Sequence, residues 1–523
     1  MAVDESNKAY LETSSAEHGV EMRNMSQLGG TEADEHEMRI LGKTQQLNRN
    51  FRFISTLGFA CTLMSTWEIS LMTSFFSLLN GGTAGMIWGY FIVWIGYMLV
   101  FATMAEMASI SPTSGGQYHW VSEFSSPGTQ RFVSYITGWV SVLGWQVGLA
   151  SLAFLVGTMI QGLLVLNNPD YVFENWHGTL LVIAVTAFCI IFNTFLAKRL
   201  PMVEGLVLIV HVLGFFAVLI PLWVLGPRGD PKEVFTEFLN LGGWDTDGLS
   251  FMVGLLAPVY TLIGADSAVH MAEEIKDASI VLPRAILTAA TVNGTMGFIM
   301  TITFCFTLGS ALDIINSPTG YPFIQAFYNV TQSNVGTSIM TAIIIINITS
   351  ACISTVATVS RQTWSFARDG GLPFSGFISK VKPGWNIPLN SVLLTFTITA
   401  LLSLINIGSV TAFHAIGSLA VNAILGTYLI SFTVMVIRRF RGPLPPRRWS
   451  LGKFGLAVNL GAIAFLLVVW VFVFFPLSPN PTADAMNWSI LMFGATMLFA
   501  VVYYLIIGRK TYKSPVDLIK RDE

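Results

Sequence analysis

The sequence predicts an all-α polytopic membrane protein of twelve transmembrane helices. Three observations predict it. Of 523 residues, 53% are hydrophobic and only 11% are charged, against roughly 25% charged in soluble domains. The apolar residues gather in stretches long enough to cross roughly 30 Å of hydrocarbon. Lys and Arg concentrate on alternate connections between those stretches, which is how membrane helices are oriented.

Taken in order, residues 1–50 come first, with nine acidic and five basic side chains and many Ser and Thr. They lack apolar periodicity and are expected to form a disordered cytoplasmic tail. No cleavable signal is visible, so the first apolar helix is expected to act as the membrane signal. Spans are expected near 54–79, 84–108, 133–164, 178–197, 202–225, 250–272, 285–311, 335–360, 387–406, 410–437, 455–475 and 487–507. The third is too long for a perpendicular helix and is expected to tilt. With the N-terminus inside, 26 of the 28 Lys and Arg fall on the cytoplasmic side, and only Arg228 and Lys232 lie outside. An odd number of spans would carry the basic tail 509–523 to the wrong side. The run from Arg438 to Arg448 is read as a topology-setting loop, with binding of anionic lipid as the alternative.

Two spans carry polar interruptions. The first reads Gly58 to Ser70, with Ser65, Thr66 and Trp67 beside Glu68. The sixth carries Ile263, Gly264 and Ala265 beside Asp266. An acid at membrane depth is costly and marks function by default. A helix that unwinds there frees main-chain amides and carbonyls for a small charged solute. The two interruptions stand five helices apart, which points to two inverted five-helix repeats, about 54–225 and 250–437. Amide groups and a positive dipole end suit a carboxylate, and carbonyls or the two acids suit an ammonium.

His211 lies seven residues after Glu204 in the fifth span, where an imidazole can relay protons. His270 and His414 are read as structural. Arg368 is positioned to clamp a carboxylate across the inner mouth, a gating and packing role. Cys61, Cys189, Cys305 and Cys352 lie in apolar segments and are read as small buried hydrophobes. Asn329 is the expected glycosylation acceptor. Asn293 and Asn347 match the same motif inside spans, and Asn487 lies too near the bilayer.

Glu106-Met-Ala-Ser109-Ile-Ser-Pro112-Thr-Ser-Gly115-Gly116-Gln-Tyr118-His-Trp120 resembles the signature of the fungal amino acid/choline/GABA permease family. That family is part of the amino acid–polyamine–organocation superfamily. Further matches are Asn240-x-x-Gly243-Trp244, Ala268-x-His270-x-x-Glu273-Glu274, Pro283-Arg284-Ala285 and the stretch from Phe366 to Ser375, within about residues 50–515. The resemblance implies a ten-helix, two-repeat bundle with two peripheral helices at 455–507. It also implies a substrate site at Met64, Ser65, Thr66, Trp67 and Glu68 with Ile263, Gly264, Ala265 and Asp266. The chain departs from the family's Gly-rich first break, having Ser65-Thr66-Trp67 there. His211 stands where bacterial proton-coupled relatives have a lysine, so a proton-coupling role is expected for His211 and Glu204.

The expected function is a proton-driven secondary transporter importing an amino acid or related amine. Choline, GABA or a polyamine as substrate, and a non-transporting nutrient sensor, are the alternatives. Trp67, Trp145 and Tyr260 are available for cation–π contact with a quaternary ammonium. An enzyme is not expected, nor a cofactor, a metal or a nucleic-acid partner, and the absence of a Walker motif argues against ATP as the drive. Both termini are expected in the cytoplasm, with the plasma membrane as location and the vacuolar membrane as the alternative. The N-terminal tail, with Lys8 as acceptor, is a candidate for the ubiquitin machinery.

Overall fold

The computed structural model describes residues 29–381, 387–408 and 412–519. Among these residues the chain is helical, with isolated bridges and no strand. Lipid offers no hydrogen-bond partners, so each spanning segment must satisfy its backbone internally. Helix α1 (Glu32–Ile40) precedes a first apolar segment that comes in pieces, α2 (Phe53–Met64) and α3 (Thr66–Met72). Then follow α4 (Gly82–Ile110), the short α5 (Gln117–Phe124), α6 (Gln130–Asn167), α7 (Asn175–Phe195) and α8 (Leu200–Leu225). A second interrupted segment holds α9 (Asp247–Gly254), α10 (Leu256–Leu262) and α11 (Ser267–His270). The remainder is α12 (Ala278–Thr307), α13 (Pro322–Thr331), α14 (Asn334–Arg368), α15 (Leu389–Ser403), α16 (Ala412–Arg441), α17 (Gly455–Phe472) and α18 (Ser489–Tyr503).

Ten of these helices are long and apolar enough to cross a membrane. The two interrupted segments are the expected first and sixth spans. Every residue of α3 and of α10 is buried. They lie inside a wall formed by α4, α12, α14 and α16. Side chains stitch that wall through main-chain acceptors. Tyr90 donates to Gly294 O at 3.2 Å and Trp94 Nε1 to Ala290 O at 3.2 Å, joining α4 to α12. Such bonds, with close packing, replace the hydrophobic drive that lipid removes. The outer faces of α8, α17 and α18 carry exposed Leu, Ile and Phe, as lipid contact requires. All four cysteines are buried and free.

The expectation of a disordered tail over 1–50 fails for its described part. Thr31 and Asp34 cap α1 reciprocally, and Met38, Leu41 and Leu47 are buried. Asp34 accepts from Asp277 N (3.0 Å) and Ala278 N (3.3 Å), at the start of α12, and pairs with Arg49 at 3.2 Å. Arg49 donates to Ala272 O and Ile275 O. The segment is held by polar groups that satisfy each other and a neighbouring main chain, a bond type without apolar periodicity. Residues 1–28, Lys8 among them, lie outside the described residues. The basic run is folded down as well. Arg439 and Arg447 pair with Glu106, and Arg448 with Asp277. Three of its five arginines are thus engaged with protein.

Candidate functional site

Two local backbone features make the breaks. Ser65 takes a left-handed conformation (φ 37°), unusual for a residue with a side chain, and its hydroxyl donates to Thr62 O at 2.5 Å. The serine thereby reaches the turn that glycine reaches freely. In the second segment Gly264 has φ 110°, and a Cβ there would come within 2.8 Å of Leu63. Between the breaks is a cavity of about 40 Å³, lined by Leu63, Ile69, Trp145, Tyr260, Ile263, Gly264 and Thr355. Ser151 and Tyr260 share a hydroxyl–hydroxyl bond of 2.6 Å at its edge. A larger cavity of about 330 Å³ lies toward the far end of α6, among Phe76, Phe173, Asn175 and Tyr321.

The acids beside the breaks face different neighbours. Glu68 Oε1 lies 2.7 Å from His211 Nδ1 and accepts from Asn347 Nδ2 at 2.9 Å. The other ring nitrogen of His211 lies 2.9 Å from Asn293 Oδ1. Asn293 in turn donates Nδ2 to Cys61 O at 3.2 Å, and Thr66 donates to Asn293 O. One buried network therefore joins α2, α3, α8, α12 and α14. Asp266 accepts from Gln117 Nε2 at 2.9 Å, with His270 Nε2 4.0 Å away. His270 Nδ1 lies 3.0 Å from Ser114 O.

Below the second break the chain is held by ion pairs. Arg368 grips Glu273 with two bonds of 3.0 and 2.8 Å, and Arg361 Nε meets Glu274 at 2.7 Å. Paired donors of this kind are the strong form of the arginine–carboxylate contact. Tyr118 donates to Asp369 Oδ2 at 2.8 Å, and Lys43 Nζ is 3.4 Å from the same oxygen. Burial pulls Lys43 below the usual lysine range, and Asp369 opposes that shift.

Among the residues expected at the site, Ile263 and Gly264 line the central cavity, with Leu63 and Ile69 flanking the Met64–Glu68 run. Glu68 and Asp266 do not meet each other. Glu204 lies apart from His211 and accepts from Ser354 at 2.6 Å. Arg368 does clamp a carboxylate, that of Glu273. Asn329 is exposed on α13, whereas Asn293, Asn347 and Asn487 are buried. Sequence reasoning missed Asn293 and Asn347 as partners of the His211 pair and Gln117 as partner of Asp266. The available signal was an amide at membrane depth, which must find a partner.

Interrupted helices around a central cavity, inside a bundle of membrane-length helices, are the architecture of a solute transporter. A profile of the amino acid permease family matches residues 51–496, and the chain belongs to that family. Several relatives carry amino-acid permease names. One, an uncharacterised permease of Schizosaccharomyces pombe, is 31% identical over 93% of this chain and 90% of its own. Amino-acid permease 2 of Neurospora crassa is 27% identical over 93% of this chain and 90% of its own. A choline transporter of Saccharomyces cerevisiae is 28% identical over 89% of this chain and 83% of its own. The protein is thus an integral multi-pass membrane transporter of the amino acid permease family and not an enzyme.

Proposed function

We propose that this permease imports an amino acid or related amine with protons, by alternating access across twelve spans. Ten continuous helices and two interrupted segments make that number. The Lys and Arg asymmetry supports both termini in the cytoplasm, the two interruptions five helices apart support two inverted repeats of five helices, and the plasma membrane is the location in this reading. Substrate sits between Met64–Glu68 and Ile263–Asp266. Main-chain groups at the breaks make the direct contacts, and Glu68 and Asp266 frame them.

The observation that carries the reading is a cavity at both breaks beside a buried His211–Glu68 pair. A proton on that pair changes the charge in the space between α3, α8 and α12. It biases access only because the two access states hold it differently. Glu204, bonded to Ser354 on α14, is the second proton candidate. Asn329 carries the glycan, and the N-terminal tail, with Lys8 as acceptor, is the substrate of the ubiquitin machinery.

The deciding experiment is a competition panel of labelled amino acids, GABA, choline and putrescine, with uptake at pH 5 and pH 8. Uptake of one of them that is greater at pH 5 is the expected result. Equal uptake at both pH values would remove proton coupling. A second reading has a quaternary amine as substrate. Trp145 and Tyr260 in the cavity wall favour it, since aromatic faces bind such cations without a carboxylate.

A further inference from the structure

Two pairs of adjacent residues and one short segment close a ring at the inner mouth. Gln117 and Tyr118 are neighbours at the start of α5. Gln117 reaches Asp266 at the second break (2.9 Å), and Tyr118 reaches Asp369 (2.8 Å). Arg368, beside Asp369, grips Glu273. Glu273 lies seven residues beyond Asp266 on the segment that leaves the break. From the cavity wall at Gly264 one can therefore follow Asp266, Gln117, Tyr118, Asp369, Arg368 and Glu273 back to the same segment.

The members are not loose surface groups. Gln117, Tyr118, Asp266 and Glu273 are each at most 1% exposed, and Asp369 is 5% exposed. Gly116, immediately before α5, has φ 54°, and a Cβ there would stand 2.9 Å from His270 Cε1. The absence of a side chain lets α5 approach the segment below the break closely enough for Gln117 to bond. The ring of Tyr118 packs edge-on against Phe366 of α14 at 5.2 Å, so the helix moves with the end of α14. The first and last described segments attach to the same corner. Lys43 meets the Asp369 carboxylate, and Lys513 N donates to Asp369 O at 2.8 Å.

We propose that Gln117 and Tyr118 are positioning residues that couple the break at Gly264–Asp266 to the inner gate. Substrate that draws on main-chain groups at the break displaces Asp266. Gln117 follows it, α5 tilts, and Tyr118 releases Asp369. Asp369 then keeps only Lys43 of these two carboxylate partners, the Arg368–Glu273 clamp beside it loosens, and the inner mouth opens. Without Gln117, occupancy of the break and closure of the gate are independent events. The proposal rests on the reading that substrate binds between the two breaks.

The test places a reporter cysteine at Thr358, a buried position one turn beyond the cavity-lining Thr355 toward the gate. Inside-out vesicles are treated with a membrane-impermeant thiol reagent. The chain without the reporter serves as blank, since its own cysteines are buried. The added solute is whichever of L-alanine, GABA and choline the parent accumulates. Solute should speed labelling of the Thr358→Cys parent. Gln117→Met should abolish that response. Tyr118→Phe keeps the ring but removes the donor, and should raise labelling without solute by about tenfold or more, the scale of one lost bond to a charged group. Both variants should lower Vmax and hold KM within about twofold, because neither touches solute.

Labelling in both variants that matches the parent, with and without solute, overturns the proposal while the binding site stands. A rise in KM alone in Gln117→Met also overturns it, making Gln117 a solute contact. If solute leaves the parent's labelling unchanged, the site reading itself fails and the coupling with it. Should Gln117→Met not reach the membrane, Tyr118→Phe decides alone.

Discussion

His211 stands between two oxygens. Glu68 Oε1 lies 2.7 Å from its Nδ1, and Asn293 Oδ1 lies 2.9 Å from its Nε2. The Asn293 amide is oriented by its own donation to Cys61 O, so its oxygen, not its nitrogen, faces the ring. The geometry holds one proton between Glu68 Oε1 and Nδ1, while the Nε2–H donates to Asn293 Oδ1.

The first prediction follows from that pair. His211→Gln retains a donor toward Glu68 and cannot titrate near neutral pH. It should flatten the pH dependence of uptake between pH 5 and 8 while changing apparent affinity by less than about threefold, a difference under 1 kcal/mol. A parental pH profile in the variant would move the proton role to Glu204 or Glu68.

Asp266→Asn is expected to reduce uptake by at least about tenfold at normal surface expression. A carboxylate that accepts from Gln117 in a buried site is replaced by an amide that binds less strongly, and a lost charge-assisted bond is worth about 1.5–3 kcal/mol. Surface biotinylation with uptake measures both terms. Near-normal uptake would make Asp266 a passive packing group.

The third prediction separates two parts of the N-terminal region. Deleting residues 2–28 should leave transport intact. Deleting 2–40 removes α1 and should lower both yield and transport. Asp34→Ala should destabilise the protein by about 1–2 kcal/mol, the cost of a lost helix cap, because Asp277 N and Ala278 N lose their acceptor. Thermal unfolding in detergent reads the effect. An unchanged midpoint would show that the cap is dispensable.

A fourth prediction concerns pH and the docking of residues 31–50. Burial raises the Glu37 carboxyl, with Ser279 opposing, and burial lowers Lys43, with Asp369 opposing. The docked state therefore prefers a protonated Glu37, a gain present at acid pH and lost as pH rises through the raised value. It prefers a neutral Lys43, a gain present at strongly alkaline pH and lost as pH falls through the lowered value. Arg368 and Glu273 also face Lys43 and are constant across the alkaline window. Hydrogen-exchange protection of this segment, corrected for intrinsic rates, should rise from pH 8 to pH 10. Lys43→Arg cannot lose its proton and should show no rise.

Much of this architecture was legible in the sequence because lipid leaves few alternatives. Apolar length located the long helices, and Gly264 and the polar run at Ser65 located the breaks. What was not legible was which groups meet. Asn293 and Asn347 stood out only as unusable glycosylation motifs, since their partners lie on helices remote in sequence. Gln117 sits inside a recognisable motif, yet nothing in the motif points to Asp266, 149 positions away. Residues 31–50 were misread for a different reason. Their contacts are ion pairs and main-chain bonds, and a charged stretch bonded to backbone has the same composition as a charged stretch in water.

Gly42 lies so near Leu518 that a Cβ on it would stand 2.0 Å from the Leu518 carbonyl. The beginning and the end of the described chain thus meet. On the ribosome, residue 42 is made first and must wait for nearly every later residue before this contact exists. Synthesis runs at roughly 5–20 residues per second, so the wait is on the order of half a minute or more. Asp34 and Arg49 complete their partners once residues 272–278 exist and Lys43 once Asp369 does, whereas Gly42 waits for Leu518. A nascent or C-terminally truncated chain consequently carries an unfinished seal at this corner, a feature by which cellular quality control can tell an incomplete molecule from a finished one.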